Sequence, residues 1–254
     1  MTALCTQLLG QTGGLGGLYL PTTQQPSYAV RFDAGNPSDN LALGGSPAIV
    51  FGSPVVTSGG PGVLPSIALQ TLNTPKQYVD TGVLDTASLT VVLAAKFSAL
   101  NTSGDWGSTP VLVSNFANNE TGTLQFVQMG GGIQLSVSTA TSGISNIGAN
   151  AALTAAQATD WGLYAARINT TTAGTALTVQ ALTAGTSGTF SSTTPRFISP
   201  SVKTLQLGAT PAGIFGAPVS LSEALLFPYS LTDDELAAVV RIIRARAAAF
   251  GVTV

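Results

Sequence analysis

Short apolar runs separated by glycine, proline, asparagine and serine follow one another from Tyr28 to Phe227. Runs of this length between turn-forming residues are typical of β-strands. The run Ser88–Phe97 is apolar almost without interruption, which predicts a strand covered on both faces. The predicted strands are Tyr28–Phe32, Ala48–Phe51, Val63–Leu72, Ser88–Phe97, Val111–Phe116, Thr123–Met129, Ile133–Ser138, Trp161–Ile168, Ala176–Leu182, Phe197–Ser199, Thr204–Leu207 and Val219–Phe227.

One segment near the C-terminus has a helical period instead. Thr232 followed three residues later by Glu235 forms a capping box, and Gly251 suits a helix end, so residues 232–249 are predicted to form a helix. Arg241, Arg244 and Arg246 are expected to be solvated and to complement the helix dipole, with a binding patch as the less favoured alternative. The apolar stripe that packs on the sandwich consists of Leu236, Val239, Val240, Ile243, Ala247 and Phe250.

The first 26 residues are apolar and rich in glycine, without the strand pattern that follows. No basic residue precedes them and no small-residue cleavage pattern follows, so we expect no secretory signal. We interpret residues 1–26 as an extended N-terminal arm, packed on a neighbouring subunit or along its own domain. Residues 27–254 would then form the sandwich domain, including the C-terminal helix. Cys5, the single cysteine, cannot form an internal disulfide and has no assigned role.

The spacing of the strands predicts an all-β fold of two antiparallel sheets packed as a sandwich. A chain of 254 residues fits one large domain of this class. No internal repeat or long linker divides it. No unbroken apolar stretch reaches about 18 residues, so we expect no membrane insertion.

The composition excludes several function classes. Only 8% of the residues are charged, against about 25% in an ordinary soluble domain, and histidine is absent. A chain without histidine has no Ser-His-Asp or Cys-His nucleophile pair, and with a single cysteine it has no zinc site. The nine Lys and Arg residues form no cluster that would bind phosphates, so nucleic acid is not an expected partner. No cofactor-binding motif is present.

Hydrolysis of polysaccharides needs two carboxylates that flank the scissile bond. The chain has three glutamates, Glu120, Glu223 and Glu235, and no two carboxylates alternate along a predicted strand. We therefore expect no catalytic residues and no enzymatic activity, with polysaccharide hydrolysis as the less favoured alternative.

Calcium is the one metal that the residue types allow, because it binds oxygen ligands. Asp33, Asn36, Asp39 and Asn40 share one loop, but such residues are also common in turns, and their spacing matches no known calcium loop. We therefore predict no metal site.

Glycan binding is the interaction that the polar loops favour. Asn101, Asp105 and Trp106 lie together in the loop Asn101–Thr109, and sugars bind aromatic faces beside amide and carboxylate groups. These three residues are the candidate glycan-binding site. The favoured interpretation of Trp106 by itself is nevertheless that it folds back over a sheet edge, as large aromatic side chains in loops usually do.

The segments that carry a resemblance are Tyr78–Gly82, Leu89–Phe97, Asp160–Arg167, Leu177–Leu182, Leu205–Ala209, Phe215–Gly216, Val219–Phe227 and Ser230–Leu236. In this order and spacing they resemble concanavalin A-like, laminin G-like jelly-roll domains. The last two resemble that family's final strand with an acidic residue, followed by an L-[ST]-x-x-E sequence and a short helix. The resemblance spans about residues 28–250 and implies a two-sheet antiparallel jelly roll.

The resemblance also suggests a function. The E-x-D-x-x-E strand of the glycosidase branch and the metal-site histidine of legume lectins are missing, which leaves the non-catalytic laminin G-like branch. Glycine-, threonine- and alanine-rich members of that branch look like virion proteins of tailed bacteriophages. The expected function is therefore a virion structural protein of the tail, baseplate, fibre or capsid decoration. Its expected partners are other virion proteins, copies of itself as a homo-oligomer, and host-surface polysaccharide. The alternative is a lectin-like glycan-binding module of a bacterial surface protein.

Overall fold

The predicted strands form two antiparallel sheets in the computed structural model, which describes residues 18–32, 36–70, 76–117, 122–139, 146–198, 203–213 and 215–254. This confirms the predicted two-sheet antiparallel sandwich with a C-terminal helix. In chain order the elements are β1 (Tyr28–Arg31), β2 (Ile49–Phe51), β3 (Val55–Thr57), β4 (Ser66–Leu69), β5 (Tyr78–Leu84), β6 (Leu89–Phe97), β7 (Val111–Ser114), β8 (Leu124–Met129), β9 (Gly132–Ser138), β10 (Asn146–Ala152), α1 (Ala155–Thr159), β11 (Gly162–Thr171), β12 (Gly174–Ala181), β13 (Thr186–Ser192), β14 (Thr204–Leu207), β15 (Val219–Phe227) and α2 (Asp233–Ala249).

The order of the strands places early and late parts of the chain side by side. The eight-stranded sheet runs β13-β12-β11-β6-β15-β4-β3, with β1 also paired to β15. The seven-stranded sheet runs β10-β9-β8-β7-β14-β5-β2. The end strands of the two sheets therefore lie at two margins of the sandwich, β10 and β13 at one and β2 and β3 at the other.

Strand β6 is central and covered on both faces, as its continuous apolar run predicts. Its residues Leu89, Val91 and Leu93 belong to the core between the two sheets. Val92 and Ala94 point the other way and pack in a second cluster with residues of α2. Burial on both faces explains why this strand shows no alternation of apolar and polar residues.

Helix α2 confirms the capping and stripe predictions. Thr232 is the N-cap and forms a reciprocal capping box with Glu235. The buried residues of the helix are Leu236, Val239, Val240, Ile243 and Ala247. The expectation of solvated arginines is wrong for Arg246, whose side chain is nearly buried and donates to the Glu223 carboxylate at 2.6 Å. Helix α2 covers the outer face of the eight-stranded sheet, where Glu223 is buried. Burying this carboxylate without its Arg246 partner would be destabilising.

Residues 18–26, the described part of the predicted arm, contact their own domain. Leu20 is buried in the cluster beneath α2, and the backbone N–H of Thr23 donates to Glu235 Oε1 at 2.7 Å. Burial alone would raise the pKa of Glu235, but hydrogen bonds from Thr23 and Thr232 outweigh it and lower the pKa to about 2. The ionised carboxylate thus holds both the helix start and this segment. The rest of the arm, residues 1–17, lies outside the described residues.

Several boundaries and elements differ from the sequence pattern. Of the described part of the predicted strand Val63–Leu72, residues 63–70, only Ser66–Leu69 form a strand, and Phe197 and Ile198 form none. Thr71 and Leu72 lie outside the described residues. Pro195, two residues before Phe197, has no N–H to donate to a ladder, and the Phe197 N–H makes a single bond to the Ser138 carbonyl. Ser199 lies outside the described residues. The pattern missed β3, β10, β13 and α1.

Candidate functional site

The loop between β6 and β7 holds the three predicted glycan-binding residues and is fixed by Asn101. The Asn101 side chain is buried, and its Nδ2 donates to the Asp105 carbonyl at 3.0 Å and to Thr109 Oγ1 at 2.9 Å. Its Oδ1 accepts from the backbone N–H and hydroxyl of Ser103. The loop is tied to β8 because the Asn101 N–H donates to Gln128 Oε1 at 2.8 Å. The Asn101 amide group therefore forms its hydrogen bonds within the loop and fixes the loop's conformation.

Asp105 has an exposed carboxylate that caps a short 3₁₀ turn, Trp106–Ser108. Its Oδ2 accepts from the Ser108 hydroxyl at 2.7 Å and from the Ser108 backbone N–H at 3.0 Å. The hydrogen bond from the Ser108 hydroxyl, together with backbone bonds from Gly107 and Ser108, lowers the pKa of Asp105. The site therefore carries a negative charge at neutral pH, with carboxylate lone pairs left for a ligand hydroxyl.

Trp106 stands on two other aromatic rings and remains 52% exposed. Its ring centroid lies 5.5 Å from Phe215 with an interplanar angle of 36°, and 6.4 Å from Phe116 in an edge-on arrangement. Phe116 and Phe215 contact each other in turn at 6.0 Å. The indole is thus held from one side by a packed aromatic pair, and the rest of its surface faces solvent. It forms a fixed aromatic platform.

A cleft of about 380 Å³ lies between Gly107 and Ser108 of the same loop and residues 216–218. Gln70, Ser98 and Ser108 contribute polar groups to it, and Leu100, Ala217 and Pro218 contribute apolar surface. Its volume is in the range of small-molecule sites, which combine an apolar lining with a few polar groups.

A second, broader groove of about 600 Å³ lies on the outer face of the eight-stranded sheet, beside the start of α2. Arg167 of β11 crosses it and donates to Asp233 Oδ1 at 2.6 Å and to the Leu231 carbonyl. Asn169 and Thr178 line the sheet side. This groove is polar and charge-balanced, but apart from the ring of Tyr229 its wall carries no aromatic surface.

The glutamates considered for hydrolysis have structural roles where the structure describes them. Glu223 is 3% exposed and bonded to Arg246, and Glu235 caps α2. Glu120 lies outside the described residues. Among the described parts of the chain no two carboxylates face each other across an open cleft named above.

The loop considered for calcium is held by amide hydrogen bonds. Asn40 Oδ1 accepts from the backbone N–H groups of Ala29 and Ala42, and its Nδ2 donates to the Ser46 carbonyl. Asp33 lies outside the described residues. Across the described ranges no group of three carboxylate, cysteine or histidine side chains is placed to hold a metal ion. Nor does any helix in those ranges have the length and apolarity needed to cross a membrane.

Comparison with known proteins identifies similar folds but no similar sequences. No family model matches the sequence, and no curated protein matches it significantly. Solved structures do match. The binding domain of botulinum neurotoxin DC in complex with SialylT has a TM-score of 0.59 at 9% identity, and the same domain with rat synaptotagmin II has a TM-score of 0.60 at 10% identity. A structure of botulinum neurotoxin type C, whose cell entry depends on interaction with two ganglioside molecules, has a TM-score of 0.58 at 9% identity.

These matches cover 85% of this chain and 51% of each neurotoxin chain. The chain therefore spans about half the length of these structures. At such low identity the similarity establishes the jelly-roll-like sandwich and nothing about the residues of a site.

Proposed function

We propose that this chain is a carbohydrate-binding module that binds a neutral saccharide at Trp106. The observation that carries the proposal is the half-exposed indole, held on Phe116 and Phe215 in a loop whose next residues, Gly107 and Ser108, line a cleft of about 380 Å³. A large aromatic surface left open to water offers the apolar face of a sugar ring a place to stack. The fold supports carbohydrate as the ligand class, since the neurotoxin structures named above include a complex with SialylT and one linked to gangliosides. Those glycans carry acidic sugars, so the choice of a neutral sugar rests on this chain's own site.

The charge of the site selects the class of sugar. Asp105 is ionised and lies one residue from the platform, so its carboxylate accepts hydrogen bonds from sugar hydroxyls and repels a sugar carboxylate. Ser98, Ser108 and Gln70 supply further hydroxyl and amide groups. A neutral hexose is therefore a better ligand than an acidic sugar.

The proposal is tested on a glycan array, followed by calorimetry with the best neutral glycan. Trp106→Ala should weaken binding at least about tenfold, equal to about 1.4 kcal/mol, because the stacking surface is removed. Trp106→Phe keeps an aromatic face and should retain part of the affinity. Circular dichroism checks that the variants remain folded, since Trp106 also packs on Phe215.

Asn169→Ala in the groove beside α2 is the matched control and should leave binding unchanged. If Asn169→Ala abolishes binding and Trp106→Ala does not, the assignment to Trp106 is wrong. A chain that binds no neutral glycan on the array contradicts the proposed function itself.

We expect binding without hydrolysis, because the described carboxylates near the cleft do not form the facing pair that glycosidases use. Glu223, the carboxylate on the last strand, is buried against Arg246. Incubation of a bound polysaccharide with the protein should release no reducing ends. Depolymerisation that is lost in Glu223→Gln would overturn this expectation.

A structural role in a tailed-phage virion, with the virion as location, is the second candidate function. One observation favours it: exposed apolar residues at one margin of the sandwich, including Ile49 and Val55, are suited to assembly with other proteins. Mass spectrometry of purified phage particles tests this candidate. Absence of the chain from the particles would exclude it.

A further inference from the structure

The margin formed by β2 and β3 exposes apolar side chains, although Phe51 stacks on Tyr78 of β5 with 4.4 Å between the ring centroids. Ile49 and Phe51 of β2 are 59% and 38% exposed, and Val55 and Val56 of β3 are 64% and 44% exposed. The two strands follow each other in the chain and end opposite sheets. We call this margin, defined by Ile49, Phe51, Val55 and Val56, the open margin. A run of exposed apolar residues at one edge usually marks an interaction surface.

The backbone at the open margin also lacks partners on one side. Among the described residues β3 pairs only with β4, and β2 pairs only with β5. An end strand presents unpaired N–H and C=O groups, which is a template for another strand. Strand β3 has three residues and follows Pro54, so few backbone bonds can form there and the apolar side chains must supply most of the contact.

Charge is the device that usually prevents such strands from associating, and β2 and β3 themselves carry none. The nearest charge across the ladder is Asp80 of β5, the partner of Ile49. No charged residue occurs from 40 to 75, a segment that includes β2, β3 and β4. The nearest charged residues in sequence are Asp39 and Lys76. Strand β3 and its partner β4 offer no counter-charge, so a partner strand beside β3 would have to bury its charges unpaired. The β3 side of the open margin therefore fits an uncharged partner.

The opposite margin cannot take part in the same contact. There β13 lies against β10, and Gly188 permits their backbones to touch, since a Cβ on Gly188 would overlap the carbonyl group of Asn150. The Thr186 hydroxyl also donates to the Ala152 carbonyl at 2.6 Å. We call this the sealed margin. With one margin sealed, association through the other ends at two copies and does not grow into a filament.

We propose that the open margin binds the open margin of a second copy of this chain, related by a two-fold axis near Val56. Strand β3 of a second copy meets the requirement for an uncharged partner, because it consists of β-branched residues without charge. Antiparallel pairing of two identical strands is symmetric, so each Val55 and Val56 meets the same short strand of the partner. The contact is independent of the proposed sugar site, because Trp106 lies in a different loop.

Sedimentation velocity on the full chain tests the dimer. At micromolar concentration the wild-type chain should sediment with twice the mass of 25.5 kDa. Val56→Lys should sediment as a monomer, because two lysines would face each other at the axis. Phe190→Lys, which places the same charge on an exposed aromatic position of β13 at the sealed margin, should remain dimeric. A monomeric wild-type chain, or a dimeric Val56→Lys variant, overturns the proposal.

Mixing two charge variants tests the two-fold symmetry. Val56→Lys and Val56→Glu should each be monomeric, and an equimolar mixture should recover dimers because opposite charges then meet at the axis. Thermal unfolding of each variant confirms that the domain is folded. A mixture that remains monomeric contradicts the placement of Val56 at the axis, and a dimer in either variant alone contradicts the homotypic contact.

Discussion

The two margins of the sandwich differ in how the edges of their end strands are covered. Each margin brings together the end strands of both sheets, which otherwise expose unpaired backbone groups. At the sealed margin β10 and β13 close on each other, with side chains no larger than alanine, threonine and serine along most of their length. At the open margin β2 and β3 carry isoleucine, phenylalanine and valine, which face solvent.

The size of the side chains on the end strands explains this difference. Small residues allow two backbones to approach, so the sealed margin is closed within one chain. Bulky apolar residues keep neighbouring backbones apart and leave surface to be covered from outside. A larger residue at the sealed margin should therefore lower the stability of the fold. A charged residue at the open margin should instead weaken association and leave stability nearly unchanged.

The largest effect is expected for Gly188→Ala at the sealed margin. The new Cβ would overlap the Asn150 carbonyl oxygen and lie 2.6 Å from its carbon, and both are backbone atoms that cannot rotate away. We expect the free energy of unfolding to fall by about 2 to 3 kcal/mol. Urea denaturation followed by fluorescence measures it.

Gly60→Ala is the matched change near the open margin. Gly60 follows β3, a Cβ added to it would meet no atom within 4 Å, and its backbone does not need a positive φ. The stability of this variant should stay within about 0.5 kcal/mol of wild type. Equal losses in the two variants would mean that the margins do not differ in closeness of packing.

A smaller effect is expected for Thr186→Val. The Thr186 hydroxyl bonds the Ala152 carbonyl across the sealed margin, and valine has nearly the same shape without the donor. The loss should be about 1 kcal/mol, as for a typical hydrogen bond. Thr57→Val on β3, at an exposed position, should change stability by less, and a larger loss there than at Thr186 would contradict the comparison.

The margins also mark where sequence reasoning stopped short. Strands β6 and β15 and helix α2 are long and buried, so their apolar patterns predicted them well. Strands β10 and β13 were missed because alanine, glycine, serine and threonine carry little apolar pattern. Strand β3 was missed because three exposed residues are too few to show a period.

In the candidate site, too, features set by neighbouring residues in the sequence were predictable, and contacts from distant residues were not. The loop and its exposed Trp106 were predictable, because polar residues surround the tryptophan in the sequence. The tie between the loop and β8 was not, because the Asn101 N–H donates to Gln128, which lies on another strand 27 residues later. The aromatic support of Trp106 also comes from a distance, through Phe116 and Phe215.

The stability of the monomer should barely respond to Val56→Lys, although its dimerisation is lost. Val56 is 44% exposed and packs against no described neighbouring strand on its outer side, so the change should cost less than about 0.5 kcal/mol. Urea denaturation at a concentration where both proteins are monomeric separates folding from association. A loss as large as that of Gly188→Ala would show that Val56 belongs to the core.

The smallest effect concerns salt and follows from the absence of charge between residues 40 and 75. Raising NaCl from about 0.1 M to about 1 M shortens the Debye length from about 10 Å to about 3 Å, which weakens contacts between exposed charges. A dimer centred on Val55 and Val56 of β3 pairs no charged side chains, because neither β3 nor its partner β4 carries one. Its dissociation constant should change less than about threefold over that range, and sulfate should tighten it, because excluded salts strengthen apolar burial. Dissociation in NaCl, measured by sedimentation, would instead point to charged residues outside the segment, such as Lys76 or Asp80 beside β2.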